Sequence, residues 1–143
     1  MVGRSLVFGG LLVCTSLLAG CSEELPEFGQ VDGVLTVKGA PKKGMFITFM
    51  PEPTEGKELP YNATSETDEQ GKYRLRYVHD GQEGEGAPIG WHRVIVHDPR
   101  FSSIPQGQSL PPRFFSVDYG NPTKTPLKFE VKPGPQTINI ELK

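Results

Sequence analysis

From Asn62 to Tyr77 the chain alternates apolar or β-forming positions with polar ones on both sides of a polar break, Asp68-Glu69-Gln70-Gly71. That pattern predicts a β-hairpin. The Asp68 carboxylate can accept bonds from the backbone amides that follow it, and Gly71 supplies the positive φ that hairpin loops of this length need. Past the turn, Tyr73, Leu75 and Tyr77 share one face while Lys72, Arg74 and Arg76 share the other, the period of a strand with one wet side.

The same alternation recurs along the chain. Val31, Gly33, Leu35 and Val37 line one face of a first strand, which Lys38-Gly39-Ala40-Pro41 interrupts. Met45, Ile47 and Phe49 define a second, and Pro51-Glu52-Pro53 ends it because proline has no amide to give to a ladder. After the hairpin, His79 to Pro88 is rich in glycine and acids and reads as a loop. His92, Val94 and Val96 then alternate with Trp91, Arg93, Ile95 and His97, a strand with apolar groups on both faces and therefore central or partly covered. Asp98 to Pro126 has no period and carries six prolines. Connections of that length are usually functional or disordered. Two last strands carry Leu127, Phe129 and Val131, then Ile138, Ile140 and Leu142, with Lys132-Pro133-Gly134-Pro135 turning between them. Seven short strands with no helical period predict an all-β domain, a seven-stranded Greek-key β-sandwich over residues 30–143. Parity assigns its core to Leu35, Val37, Ile47, Phe49, Tyr73, Leu75, Val94, Val96, Phe129, Val131, Ile138 and Ile140.

Composition changes that picture mainly at the N-terminus. The chain has 143 residues, 17 Gly and 14 Pro and a formal net charge of -2, which fits one domain and carries no nucleic-acid footprint. Met1 to Gly20 opens with Arg4 and continues as an apolar run, Leu6 to Leu18, too short to stay in a bilayer as a spanning helix. Residues 1–20 therefore read as an export signal. Leu18-Ala19-Gly20-Cys21 resembles the lipobox of bacterial lipoproteins, which implies acylation of Cys21 and cleavage before it. The alternative is an ordinary secretory signal that happens to precede a cysteine. Cys14 is lost with the signal, so Cys21 stands alone and no intramolecular disulfide can form. A diacylglyceryl group, as lipoproteins of this type carry, would hold the chain stably on a membrane, where one acyl chain would not. Residues 21–29 read as a lipidated N-terminus and flexible tether, in which Ser22 to Gly29, acidic and proline-bearing, reach about 25 Å at most at roughly 3.3 Å per residue. Ser22, directly after the cysteine, resembles the outer-membrane sorting case, facing the periplasm or the cell surface.

A family resemblance covers about residues 30–98. Val31-Asp32-Gly33, Gly39-Ala40-Pro41, Gly44-Met45-Phe46-Ile47-Thr48-Phe49, Thr67-Asp68-Glu69-Gln70-Gly71-Lys72-Tyr73 and Pro88-Ile89-Gly90 resemble the carboxypeptidase regulatory-like domain. That resemblance implies a transthyretin-like (prealbumin-like) fold and says little about function. Pro111-Pro112-Arg113-Phe114 and Pro126-Leu127-Lys128-Phe129-Glu130-Val131 look like the closing part of small bacterial lipoproteins built on it. The sequence departs at Lys42-Lys43, where the family often has an apolar residue, and at His92, where it usually has an inward aromatic. His92 is accordingly expected in the core as a neutral, hydrogen-bonded ring.

Candidate chemistry is sparse. His79, His92 and His97 accompany Asp80, Glu83, Glu85 and Asp98, but His92 and His97 have opposite parity and point to opposite faces, so no metal site and no cofactor are expected. Asp80 to Glu85 lacks the alternation of a calcium loop. No G-x-S-x-G elbow, P-loop or H-E-x-x-H is present, so an enzyme is not expected. Transthyretin-like hydroxyisourate hydrolases end in Tyr-Arg-Gly-Ser, whereas this chain ends Glu141-Leu142-Lys143. An isopeptide between Lys38 and Asn139, as in related pilin-type sandwiches, would need a carboxyl where Val96 stands. The sequence reading is thus a non-catalytic envelope lipoprotein with a binding or structural module, its partners the membrane and an envelope protein or glycan. A carbohydrate-binding module is the rival, and a small hydrolase the third reading. Trp91, Arg113, Phe114, Phe115 and Tyr119 are the candidate binding patch, an aromatic and cationic group carried largely by Asp98 to Pro126. The same apolar groups could instead cover an open edge of the sandwich.

Overall fold

A computed structural model describes residues 26–54 and 61–143. The expected export signal, Cys21 and most of the expected tether lie outside the described residues, as do residues 55–60. None of the helices among the described residues is long and apolar enough to cross a membrane.

The domain is an all-β sandwich of two sheets. The first is built on one long strand, β1 (Phe28–Val37). Along one side β1 pairs antiparallel with β2 (Ala40–Pro41), β5 (Lys72–Arg74) and β8 (Ala87–Pro88), and along the other it pairs parallel with β11 (Gly134–Thr137) and β12 (Ile140–Leu142). The second sheet is antiparallel and runs β10 (Lys128–Val131), β9 (Gly90–His97), β3 (Phe46–Pro51), β4 (Ala63–Glu66), β6 (Arg76–His79), β7 (Gln82–Glu85).

The predicted hairpin forms, with its turn at Asp68–Gly71 and with Ala63 opposite Tyr77. Asp68 Oδ1 accepts from the amides of Gln70 (2.8 Å) and Lys72 (2.9 Å), and Gly71 takes φ +72. A Cβ there would stand 2.6 Å from the Leu35 carbonyl oxygen, so the position excludes a side chain on space as well as on φ. The second arm, however, does not stay in one sheet. Tyr73 pairs with Gly33 of β1, whereas Arg76 and Tyr77 pair with Thr64 and Ala63 of β4, and Leu75 is the crossing point, its amide bonded to the Val31 carbonyl at 2.9 Å.

Strand parity places the core between the sheets. Leu35, Ile47, Phe49, Leu75, Val94, Val96, Val131, Ile140 and Leu142 are buried, joined by Val31, Val37, Met45, Ala63, Tyr73, Ala87 and Leu127. Phe129 and Ile138, expected in the core, are half-buried at its edge, packed against it from the side where β10 and the β11–β12 edge remain unjoined. The Tyr73 hydroxyl donates to the Ile138 carbonyl, and burial pushes its pKa well above the usual tyrosine range, with Asp32 adding to the effect.

Two segments differ from the sequence reading. His79 to Pro88 is not a loop: Asp80 and Gly81 both take positive φ (47° and 77°) and form a two-residue turn that joins β6 to β7. An Asp-Gly pair between strands is the signature of the type I′ turn, whose twist matches that of the strands. The second difference follows Pro133, where β11 adds to β1 in parallel before β12. The two are one strand interrupted at Asn139, whose side-chain Oδ1 takes the Val34 amide at 3.0 Å.

His92 is fully buried beside Phe49, with Nδ1 3.0 Å from the Gly90 carbonyl and Nε2 without a partner. Burial pushes its pKa below the ordinary 6.5, only partly offset by the Gly90 bond. The folded state thus holds the ring neutral while the unfolded chain can protonate it, so stability is complete above the unfolded pKa and declines as pH falls below it. Urea midpoints should fall between pH 7.5 and pH 5 for the wild type and change less for His92→Phe; equal slopes would rule out His92 as the source. Asp98 and Glu52 titrate at lower pH and leave that window clear. Phe49, wholly buried against Tyr73, His92 and Phe129, should cost about 3 to 5 kcal/mol when truncated to Ala, read from denaturant unfolding.

Candidate functional site

The connection from Asp98 to Pro126 carries two short 3-10 turns, Pro99–Phe101 and Val117–Gly120, and no strand. Its chemistry is a set of stacked cations and rings. Asp98 is buried and holds Arg100 through both carboxylate oxygens, the shortest bond 2.6 Å. Burial alone would raise the Asp98 pKa, but the Arg100 guanidinium and amide bring it below the usual carboxylate value. The guanidinium of Arg100 in turn lies 3.8 Å from the centre of the Phe114 ring, and Lys42 Nζ lies 3.1 Å from it. Arg113 stacks on Phe101 at 4.0 Å. Phe115 meets Tyr119 edge to face at 6.0 Å, and the Tyr119 hydroxyl accepts from the Lys143 amide at 3.3 Å.

Four of the five candidate residues are therefore committed within the fold. Phe114, Phe115 and Tyr119 pack half-buried against the core, and Arg113 caps a ring of the same segment. Of these, Arg113 and Phe115 border a cleft of about 380 Å³ between this segment and the Val96–His97 end of β9. The Lys42 ammonium is the second cation on Phe114.

Trp91 is not brought to the others. It is half exposed near the opposite end of β9, about 20 Å along the strand from His97 at 3.3 Å per residue. Residues that the sequence reading did not single out surround it. Lys128, opposite Arg93 in the β10–β9 ladder, places its ammonium 5.4 Å from the indole centre and 2.7 Å from Glu52 Oε2. Arg93 Nε donates to Glu52 Oε1 at 3.2 Å, and Arg93 Nη1 to the Pro122 carbonyl at 3.2 Å. The Glu52 amide bonds the Trp91 carbonyl at 2.8 Å, one rung past the proline that ends β3. Hydrogen bonds from Lys128 and Arg93 hold the Glu52 carboxylate below its usual pKa. Shared parity of Trp91 and Arg93 was readable in the sequence; their pairing with Glu52 and Lys128 was not, because it depends on which strands become neighbours.

A further cleft, of about 520 Å³, lies where the hairpin splits between the sheets. Glu66 and Arg74, opposite each other in the hairpin register, do not pair; the Ser65 hydroxyl stands between them, accepting from the Arg74 amide at 3.2 Å and lying 3.4 Å from the Glu66 carbonyl. Thr137 donates to Asp32 across the same cleft at 2.8 Å. His79, His92 and His97 are dispersed: His92 faces inward and His97 outward on β9, and His79 lies on β6 with its ring tilted against that of Tyr61. Among the described residues no group of three or more His, Cys, Asp or Glu side chains is placed to hold a metal ion.

Compared with known proteins, the chain matches no family model, no curated protein and no solved structure.

Replacing Phe114, Phe115 and Tyr119 together by Ala should lower the melting temperature by about 10 °C or more, since three half-buried aromatics and their cation contacts are removed. A shift within about 2 °C would mean that the segment does not stabilise the sandwich.

Proposed function

We propose that this protein is a bacterial envelope lipoprotein, acylated at Cys21, whose sandwich is displayed at a membrane as a non-catalytic binding or structural module. The observation that carries the reading is the complete Leu18-Ala19-Gly20-Cys21 sequence after an apolar run, followed within a few residues by the start of a folded domain at Phe28. A short tether between acylation site and first strand is what a membrane-held domain requires. A seven-stranded Greek-key, transthyretin-like identity for the sandwich, as in carboxypeptidase regulatory-like domains, belongs to the same proposal. It is supported by the Thr67-to-Tyr73 turn, which has the bonding its residues imply, and by the first strand lying centrally between a hairpin arm and the last strand. The non-catalytic reading is supported by the cleft of about 520 Å³, where Ser65, Asp68, Tyr73 and Thr137 are engaged in bonds that hold the fold.

A second reading, glycan binding, is favoured by one specific feature, the exposed Trp91 set beside a fixed carboxylate and two cations. The lipoprotein reading is tested by Cys21→Ala. The variant should appear in the soluble envelope fraction while the wild type stays with membranes after a carbonate wash. Retention of the variant on washed membranes would sink the proposal.

A further inference from the structure

The outer face of the second sheet ends in a platform that differs from every other exposed apolar position of the described residues. Leu110 and Val117 lie in the long connection, Val78 stands on β6, and Phe46 sits at the far end of the β3–β9 pair, opposite His97. Trp91 alone among the exposed large apolar residues has around it a carboxylate fixed by two cations, one of which also reaches the indole.

We infer that Trp91, Glu52, Arg93 and Lys128 form a binding site for a neutral saccharide chain. The inference deepens the glycan-binding reading by naming its residues and ligand class, and it does not depend on how the protein is anchored. A pyranose has an apolar face of C–H groups about the size of an indole and a rim of hydroxyls that both donate and accept. The platform offers the counterpart: a half-exposed indole for the C–H face, and beside it donors on Lys128 and Arg93 with an acceptor on Glu52.

The arrangement is held before any ligand arrives. Glu52 lies between Pro51 and Pro53, its amide is bonded to the Trp91 carbonyl, and each carboxylate oxygen has a cation. Arg93 is fixed a second time by the Pro122 carbonyl. Groups locked in this way lose little conformational entropy on binding. Charge selects for a neutral partner, since the two cations are opposed by Glu52 and by Glu130, the residue paired with Trp91 across the β10–β9 ladder. A cleft of about 400 Å³, walled by Met50, Pro53 and Pro122, continues the platform past Arg93 and gives room for a second sugar unit.

Trp91 is the single tryptophan of the chain, so its fluorescence reports this site and no other. The full-length protein, in a detergent without a sugar headgroup, is titrated with cellohexaose, chitohexaose and maltohexaose. At least one should give a saturable change in emission. Glu52→Gln and Lys128→Ala should each weaken that binding by about tenfold, and Trp91→Ala should abolish it by calorimetry, whereas Leu110→Ala should leave it unchanged. Absence of a saturable response to all three saccharides overturns the assignment, as does undiminished affinity in both Glu52→Gln and Lys128→Ala. A negative result leaves the fractionation of Cys21→Ala untouched, so the two proposals fail separately.

Discussion

The backbone of residues 72–79 has to serve both sheets, and the rest of the sandwich is arranged around how it does so. A strand presents its amides and carbonyls alternately to its two sides, so one arm can be shared only if its neighbours change along its length. Here β5 gives Tyr73 and Leu75 to β1, while β6 gives Arg76 to β4. The two sheets are thereby joined along one flank, and the opposite flank, between β10 and the β11–β12 edge, stays open. One rung is lost at the split, between Glu66 and Arg74. Ser65 supplies a hydroxyl in its place, so the cleft of about 520 Å³ follows from the sheet crossing.

The long connection resolves a second problem of the same kind. A chain of this length between β9 and β10 would carry a heavy entropy cost if its rings stayed in water. Instead the Asp98–Arg100 pair, the two cations on Phe114 and the Arg113–Phe101 stack turn it into a second layer over one end of the sandwich. Aromatic and basic residues clustered in a loop look the same in sequence whether they face a partner or one another. What separates the cases is where the cations end up, and here they lie on rings of the same protein.

Legibility in the sequence followed the range of the interaction. The Asp68–Gly71 turn and the core parity of Ile47, Phe49, Val94 and Val96 depend on near neighbours and on period, and each could be read residue by residue. The β6–β7 hairpin was equally local, but its Asp80-Gly81 signal was masked by the flanking acids and glycines of Gln82 to Glu85. Parallel addition of β11 to β1, the sheet change at Leu75 and the joining of Glu52 to Lys128 and Arg93 link residues far apart in the chain. No periodicity encodes them, because they follow from which strand edges meet.

The position of the Trp91 platform adds a geometric consequence. Pro88, three residues before Trp91, pairs with Phe28 at the start of β1, and the Ile89 amide bonds the Glu27 carbonyl at 2.9 Å. The platform is therefore at the same end of the sandwich as the point where the N-terminal segment enters. If the chain is held at Cys21, as proposed, the six residues from Ser22 to Glu27 allow a reach of at most roughly 20 Å at 3.3 Å each. The Trp91 face would then work within a few tens of ångströms of the membrane, on saccharide lying close to the bilayer, while the Phe114–Tyr119 end points away from it.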